Sequence, residues 1–111
     1  MSPEPPAALL RLDARALALG YRHGSDTLLV LLDLASRAVG SHEGTVVTAS
    51  YRDIARRLGV SKDTVGRRLQ VLRRFGVVVD QPGRCDRFGA RSYLLHLELV
   101  GVTREQVLVA A

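Results

Sequence analysis

The sequence predicts an α+β fold, mainly α-helical with one small β-hairpin, in a chain of 111 residues. The first observation is a pair of short amphipathic helices, separated by a tight glycine turn, over residues 50–76. The second is a pair of β-rich segments that flank a Pro-Gly loop directly after those helices. The third is the 47% apolar content, which is ordinary for one folded domain of this length.

The first helix of the pair has start and stop signals. Ser50 caps its N-terminus, and Asp53, three residues later, completes a capping box. Ile54 and Leu58 recur at helical spacing and lie on one apolar stripe. Gly59 fits the position after the last helical residue, where a left-handed backbone favours glycine. The helix is therefore predicted to begin after Ser50 and to end at Gly59.

The second helix, predicted over residues 61–75, has one apolar face and one cationic face. Ser61 caps its start. Val65, Leu69 and Leu72 then recur at i, i+4 and i+7 and form a core-facing stripe. The opposite face carries polar and basic side chains, namely Asp63, Arg67, Gln70 and Arg74. Two helices joined by a glycine turn, the second with a basic outer face, form a helix-turn-helix.

Two further helices are predicted before this motif. Residues 7–19 carry leucines at helical spacing, and they predict an N-terminal helix that either covers the core or forms a dimer interface. Residues 27–39 follow a cap at Ser25 or Asp26 and predict the next helix. The run 28–32 is apolar around the whole circumference, which predicts that this helix is central.

Short β-branched or alternating segments predict three strands. They lie over residues 45–48, 77–79 and 90–99. Between the last two, residues 80–89 hold a Pro-Gly pair and a second glycine, which predict a hairpin loop. Beyond residue 100, Thr103 and Gln106 have the spacing of a capping box and predict a final short helix.

The order of these elements, from residue 27 to residue 99, resembles the winged helix-turn-helix superfamily. Small Ala55, the turn Gly59 and apolar Val60 and Val65 follow its usual local pattern. The resemblance implies a three-helix core plus a wing, with extra N- and C-terminal helices. The predicted segments are an N-terminal tail and helix that is a candidate for dimerisation, the winged domain and a C-terminal short helix, over residues 1–24, 25–100 and 101–111.

The positive charge is concentrated on one part of the chain. Residues 50–91 contain eleven Arg and Lys against four Asp, a formal +7, whereas the remainder has five basic and seven acidic residues, a formal −2. A localised cationic patch is typical of a protein that binds a polyanion. Fifteen of the sixteen basic residues are arginine. Because that bias suggests a GC-rich genome, the positions of the arginines carry more weight than their number.

The resemblance implies which side chains contact DNA. The recognition helix, residues 61–75, would enter the major groove, and the wing, residues 80–90, would lie on the backbone or the minor groove. The predicted base-reading residues are Asp63, Thr64, Arg67 and Gln70, since Arg pairs with guanine and Gln with adenine. The residues predicted to hold the DNA backbone are Ser50, Tyr51, Arg52, Lys62, Arg74, Arg84, Arg87 and Arg91. Gly66 is expected to leave the reading face open for close approach.

Several other classes of function lack their sequence signals. The chain has no Gly-rich phosphate loop, no zinc-protease or serine-hydrolase motif and a single cysteine, Cys85. We therefore expect no enzyme activity, no cofactor and no metal site. No apolar run approaches the ~20 residues that span a bilayer, and the N-terminus lacks the pattern of a signal peptide. A cytoplasmic location is expected.

The sequence favours a protein that binds double-stranded DNA sequence-specifically. We interpret it as a homodimeric transcriptional regulator of bacterial type. Two alternatives use the same fold. A plasmid or phage replication, partition or excision factor would also bind DNA, and no residue distinguishes it from a regulator. A winged-helix protein-interaction module would not need the concentration of positive charge.

Overall fold

The computed structural model of the chain describes residues 8–41, 44–85 and 89–106. The helices are α1 (Ala14–His23), α2 (Ser25–Arg37), α3 (Tyr51–Leu58) and α4 (Lys62–Arg74), with a 3-10 helix at Leu97–Val100. The strands are β1 (Ala8–Leu12), β2 (Val39–Ser41), β3 (Gly44–Ala49), β4 (Val78–Cys85), β5 (Arg91–Leu95) and β6 (Val102–Gln106). A helix, two short strands, two helices and a β-hairpin follow one another from α2 to β5, which confirms the α+β winged helix-turn-helix fold class.

Helix α2 is the centre of the core, as its apolar sequence predicted. It packs against α1, α3, α4, β1 and β3. Val30, Leu31 and Leu34 are completely buried. The burial is not uniform around the helix, because Leu29 remains 49% exposed. The helix begins directly after Gly24 and lacks a side-chain cap there, although the Asp26 carboxylate accepts a hydrogen bond from the Thr27 amide.

Four of the described strands form an antiparallel sheet in the order β2-β3-β5-β4. The hairpin β4–β5 is the wing, and β3 joins it to the helical core through pairs from Thr45–Leu95 to Ala49–Arg91. Strand β4 is longer than the predicted 77–79 because it continues the pairing into the hairpin, with an irregularity between Asp80 and Cys85. Strand β5 ends at Leu95, and the 3-10 helix replaces the predicted end of that strand.

The predicted N-terminal helix is wrong at both of its ends. Ala8–Leu12 is strand β1, and α1 begins only at Ala14, where the Asp13 carboxylate accepts a hydrogen bond from the Arg15 amide at 2.8 Å. The helix then continues to His23, beyond residue 19, where it was predicted to end. An added Cβ at Gly20 would lie 3.1 Å from Leu28, so this glycine allows α1 to pack closely on α2.

The predicted C-terminal short helix is also wrong over the described residues. Val102–Gln106 forms strand β6, which pairs antiparallel with β1 from Ala8–Gln106 to Leu12–Val102. Residues 107–111 lie outside the described part of the chain. Residues 102–106 form a strand because they have a partner near the start of the chain. The amide of Asp13 donates to the Gly101 carbonyl at 2.9 Å and brings β6 beside β1. A backbone partner so distant in sequence outweighs the local capping pattern at Thr103.

Tyr93, on β5, provides a test of the core beneath the wing. Its side chain is fully buried, its hydroxyl has no hydrogen-bond partner among the described residues, and burial raises the pKa of Tyr93 to about 12. We expect Tyr93→Phe to leave the free energy of unfolding unchanged or to raise it, because an unsatisfied buried hydroxyl costs about 1–3 kcal/mol. Tyr93→Ala should lower it by about 3–5 kcal/mol in urea denaturation. A large loss in Tyr93→Phe would mean that the hydroxyl is hydrogen-bonded.

Candidate nucleic-acid interface

The turn between α3 and α4 is fixed by three local features that the sequence predicted. The Ser50 hydroxyl accepts a hydrogen bond from the Asp53 amide at 3.1 Å and caps α3. Gly59 ends α3 in the left-handed conformation, with φ of 69°. The Ser61 hydroxyl accepts from the Thr64 amide at 3.1 Å and caps α4. These caps set the start of α4 and therefore the direction in which each of its side chains points.

Helix α4 has the two faces that its periodicity predicted. Val65, Leu69 and Leu72 are completely buried against the core. The side chains on the opposite face are exposed, and they are Asp63, Arg67, Gln70 and Arg74. Since the buried stripe fixes the rotation of the helix, the cationic face is directed outwards.

A concave groove runs along this outer face. It lies between the N-terminal turn of α3, the first three turns of α4 and the start of β5, and its volume is about 900 Å³. Its lining residues are Ser50, Tyr51, Arg52, Lys62, Asp63, Gly66, Arg67, Gln70, Gly89 and Arg91. Three segments that are separate in sequence thus contribute to one surface.

Most of the predicted DNA-contacting residues line this groove. Among the predicted residues whose side chains are described, the exceptions are Thr64 and Arg74. Thr64 is partly buried, and its hydroxyl is 2.9 Å from that of Ser61, so it takes part in the cap of α4. Arg74 is exposed near the end of α4, outside the groove lining. Arg84 lies on β4, but its side chain is outside the described part of the structure. Arg87 lies outside the described residues.

The charges of the groove are not neutralised by other residues in the described part of the chain. Arg52, Lys62, Arg67 and Arg91 line it, and none forms an ion pair with another described residue. Asp63 is the one carboxylate among the described lining residues. A concave surface with several uncompensated cations attracts a polyanion and raises its local concentration.

Other arginines of the same region are bound to carboxylates inside the fold. Arg57 donates to Asp33 at 3.0 and 3.2 Å and ties α3 to α2, and Arg37 binds the same carboxylate. Burial raises the pKa of Asp33, and the hydrogen bonds from Arg57 act against that rise. Arg68 pairs with Asp26 at 2.8 Å. Arg57 and Arg68 thus hold α3 and α4 against α2, so the count of basic residues over 50–91 overstated the charge available to a ligand.

Arg73 is a functional candidate that sequence reasoning missed. Its guanidinium donates to both Asp80 oxygens, at 3.0 and 3.1 Å, and to the Tyr51 hydroxyl at 3.1 Å. It also lies 5.9 Å from the centre of the Tyr93 ring. The spacing of Arg73 and Asp80 in sequence gave no signal, because their contact depends on how β4 turns back beside α4.

Gly66 lines the groove, and it also has a packing contact that the sequence did not predict. A Cβ at this position would lie 3.4 Å from the Tyr51 ring, so the ring packs against the bare backbone of α4. The glycine therefore admits a side chain of α3 to the floor of the groove, and the surface at this point is partly covered by Tyr51.

Comparison with known families agrees with this geometry. Residues 24–78 match a family model described as a helix-turn-helix domain. Residues 24–78 are a helix-turn-helix domain. The match supports membership of the helix-turn-helix DNA-binding superfamily, with DNA as the partner, and domains of this family are typically non-enzymatic. No curated protein and no solved structure matches the chain.

The matched segment and the groove overlap only in part. The helix-turn-helix domain covers α2, β2, β3, α3 and α4 and ends at the first residue of β4. Gly89 and Arg91, which belong to the wing side of the groove, lie beyond it. Within the described ranges, no helix has the length and hydropathy needed to cross a bilayer. The same ranges hold no group of three His, Cys, Asp or Glu side chains able to bind a metal ion.

The left-handed turn at Gly59 can be tested with a matched glycine. No atom of the described residues lies within 4 Å of an added Cβ at either Gly59 or Gly40, but only Gly59 has a positive φ. We expect Gly59→Ala to lower the free energy of unfolding by about 1–2 kcal/mol, the cost of a left-handed conformation for alanine. Gly40→Ala should be neutral or stabilising in the same urea titration. Equal effects at the two sites would contradict the role of the turn.

Proposed function

We propose that this helix-turn-helix protein binds double-stranded DNA sequence-specifically and acts as a homodimeric transcriptional regulator. One observation carries the proposal: the exposed face of α4 brings Arg67 and Gln70 into a groove that contains uncompensated cations on both sides. A protein-interaction surface has no need of this charge, whereas phosphate oxygens on both walls of a DNA groove would neutralise it.

The groove suggests a division of roles among its residues. Arg67 and Gln70 lie on the outer face of α4, where their paired donors and acceptors can reach base edges in the major groove. Arg52 at the start of α3, Lys62 at the start of α4 and Arg91 on β5 surround them and would bind phosphates. The wing, residues 80–90, would extend these backbone contacts through Arg84 and Arg87.

We infer the dimer from exposed apolar side chains on α1, a helix that does not line the groove. Leu17 and Tyr21, one turn apart on α1, are 61% and 92% exposed. A single domain of this size contacts few base pairs, and two recognition helices would give the specificity that a genome of competing sites requires. Two copies related by a two-fold axis would read inverted half-sites about 34 Å apart.

The sequence-reading role of Arg67 is tested with a charge-matched control. Arg67→Ala should weaken binding to the preferred duplex by about 1–3 kcal/mol and relax selectivity at one base position. Arg22→Ala removes the same charge from α1, outside the groove, and should leave both properties close to those of the wild type. Selection of duplexes from a random pool, followed by titration, measures both effects.

The outcome of this experiment distinguishes between several interpretations of the function. Loss of affinity for every duplex without loss of selectivity would contradict the reading role of Arg67. Absence of binding to any duplex at low salt would contradict the proposed function and favour a protein-interaction module. Selected sites that cluster as repeats on one plasmid or phage would favour a replication, partition or excision factor over a regulator.

The dimer is tested with two exposed apolar residues of equal exposure. Leu17 on α1 and Val39 on β2 are each 61% exposed. Because neither belongs to the buried core, glutamate at either position should leave the fold intact. Leu17→Glu should reduce the mass measured by light scattering from that of a dimer to that of one chain, 12.1 kDa, whereas Val39→Glu should remain dimeric. A wild-type mass of one chain at micromolar concentration would contradict the dimer.

A further inference from the structure

Tyr51 occupies a position between the groove and the interior. It is the first residue of α3, it lines the groove, and its ring lies against Gly66 of α4. Its hydroxyl is 3.1 Å from a terminal nitrogen of Arg73. The ring is therefore fixed on one side by α4, and the hydroxyl is fixed by a charged group at its tip.

The direction of that hydrogen bond follows from the chemistry of the two groups. A guanidinium has donors and no acceptor, so Arg73 donates and the Tyr51 oxygen accepts. The hydroxyl hydrogen of Tyr51 then remains to be donated, and it makes no hydrogen bond with another described residue. An adjacent positive charge polarises the hydroxyl and makes it a stronger donor.

Arg73 itself is not placed to attract DNA. Its side chain is 25% exposed, it does not line the groove, and both oxygens of the Asp80 carboxylate accept from it. Burial disfavours its charged form, but the hydrogen bonds with Tyr51 and Asp80 raise the pKa of Arg73 above its usual value. The charge is thus retained and is compensated within the protein.

We propose that Arg73 is a positioning residue: it holds the Tyr51 hydroxyl as a hydrogen-bond donor to a phosphate oxygen of the DNA backbone, while Asp80 cancels its charge. This inference rests on the proposed DNA binding. It joins three elements in one contact, because Tyr51 begins α3, Arg73 lies on α4 and Asp80 lies on β4 of the wing. The phosphate contact of Tyr51 would therefore depend on the position of the wing relative to the recognition helix.

Salt dependence distinguishes a positioning residue from a phosphate-binding cation. Each cation that neutralises a phosphate contributes about 0.9 to the slope of log K against log salt. Tyr51→Phe keeps the ring on Gly66 and removes only a neutral donor, so Kd should rise about tenfold for every duplex with no change in slope. Arg52→Ala, the matched loss of a cation lining the groove, should instead reduce the slope by about 0.9.

The role of Arg73 is tested by a double-mutant cycle. Arg73→Gln should raise Kd towards the value for Tyr51→Phe, and the double variant of these two should bind no more weakly than the weaker single variant. Arg73→Gln combined with Asp80→Asn removes both charges of the ion pair and should leave the slope unchanged. Asp80→Asn tests the third partner without altering Arg73 or Tyr51. It leaves the guanidinium charge uncompensated and should steepen the slope by up to about 0.9.

Each alternative gives a different result. Wild-type affinity in Tyr51→Phe would overturn the donor role of the hydroxyl. Additive losses of affinity when Tyr51→Phe and Arg73→Gln are combined would overturn the action of Arg73 through Tyr51. A slope reduced when Arg73→Gln is combined with Asp80→Asn would show that Arg73 binds phosphate directly, and an unchanged slope in Asp80→Asn alone would overturn the role of Asp80. Failure of the wild type to bind any duplex would overturn the proposed function as well, which keeps the two failures distinguishable.

Discussion

Burial of one stripe of α4 determines most of what this protein presents to its surroundings. Val65, Leu69 and Leu72 are completely buried, and they leave the helix only one rotation about its axis. Because apolar and polar residues alternate with the helical period, the same rotation that buries the stripe exposes Arg67 and Gln70. Loss of this packing would disturb the core and the exposed face of α4 together, so the two properties cannot vary independently.

Carboxylates divide the arginines of the domain into two groups. Asp33, Asp26 and Asp80 bind arginines that hold α3, α4 and the wing in place. The cations of the groove have no such partner among the described residues, and their charge is available to a polyanion. Ion pairs at the surface contribute little stability individually. Their main consequence here is electrostatic, because they neutralise arginines that would otherwise add positive charge outside the groove.

The features that were predicted correctly are those that local sequence controls. The caps at Ser50 and Ser61 and the left-handed Gly59 each depend on residues within one helical turn, so their patterns are visible in the chain. Residues 8–12 and 102–106 were predicted wrongly as parts of helices. Strands β1 and β6 exist because they pair with each other across about the whole length of the chain, and periodicity carries no information on a partner so remote.

The sequence by itself determined the helix-turn-helix, the rotation of α4 and the identity of most groove residues, because short-range caps and periodicity govern all three. Only the tertiary structure decided which arginines keep their charge free and what Gly66 accommodates. It also decided that Tyr51, Arg73 and Asp80 meet. The physical reason is that ion pairs and side-chain packing depend on distances between elements, and those distances are set by how the hairpin folds back on the helices.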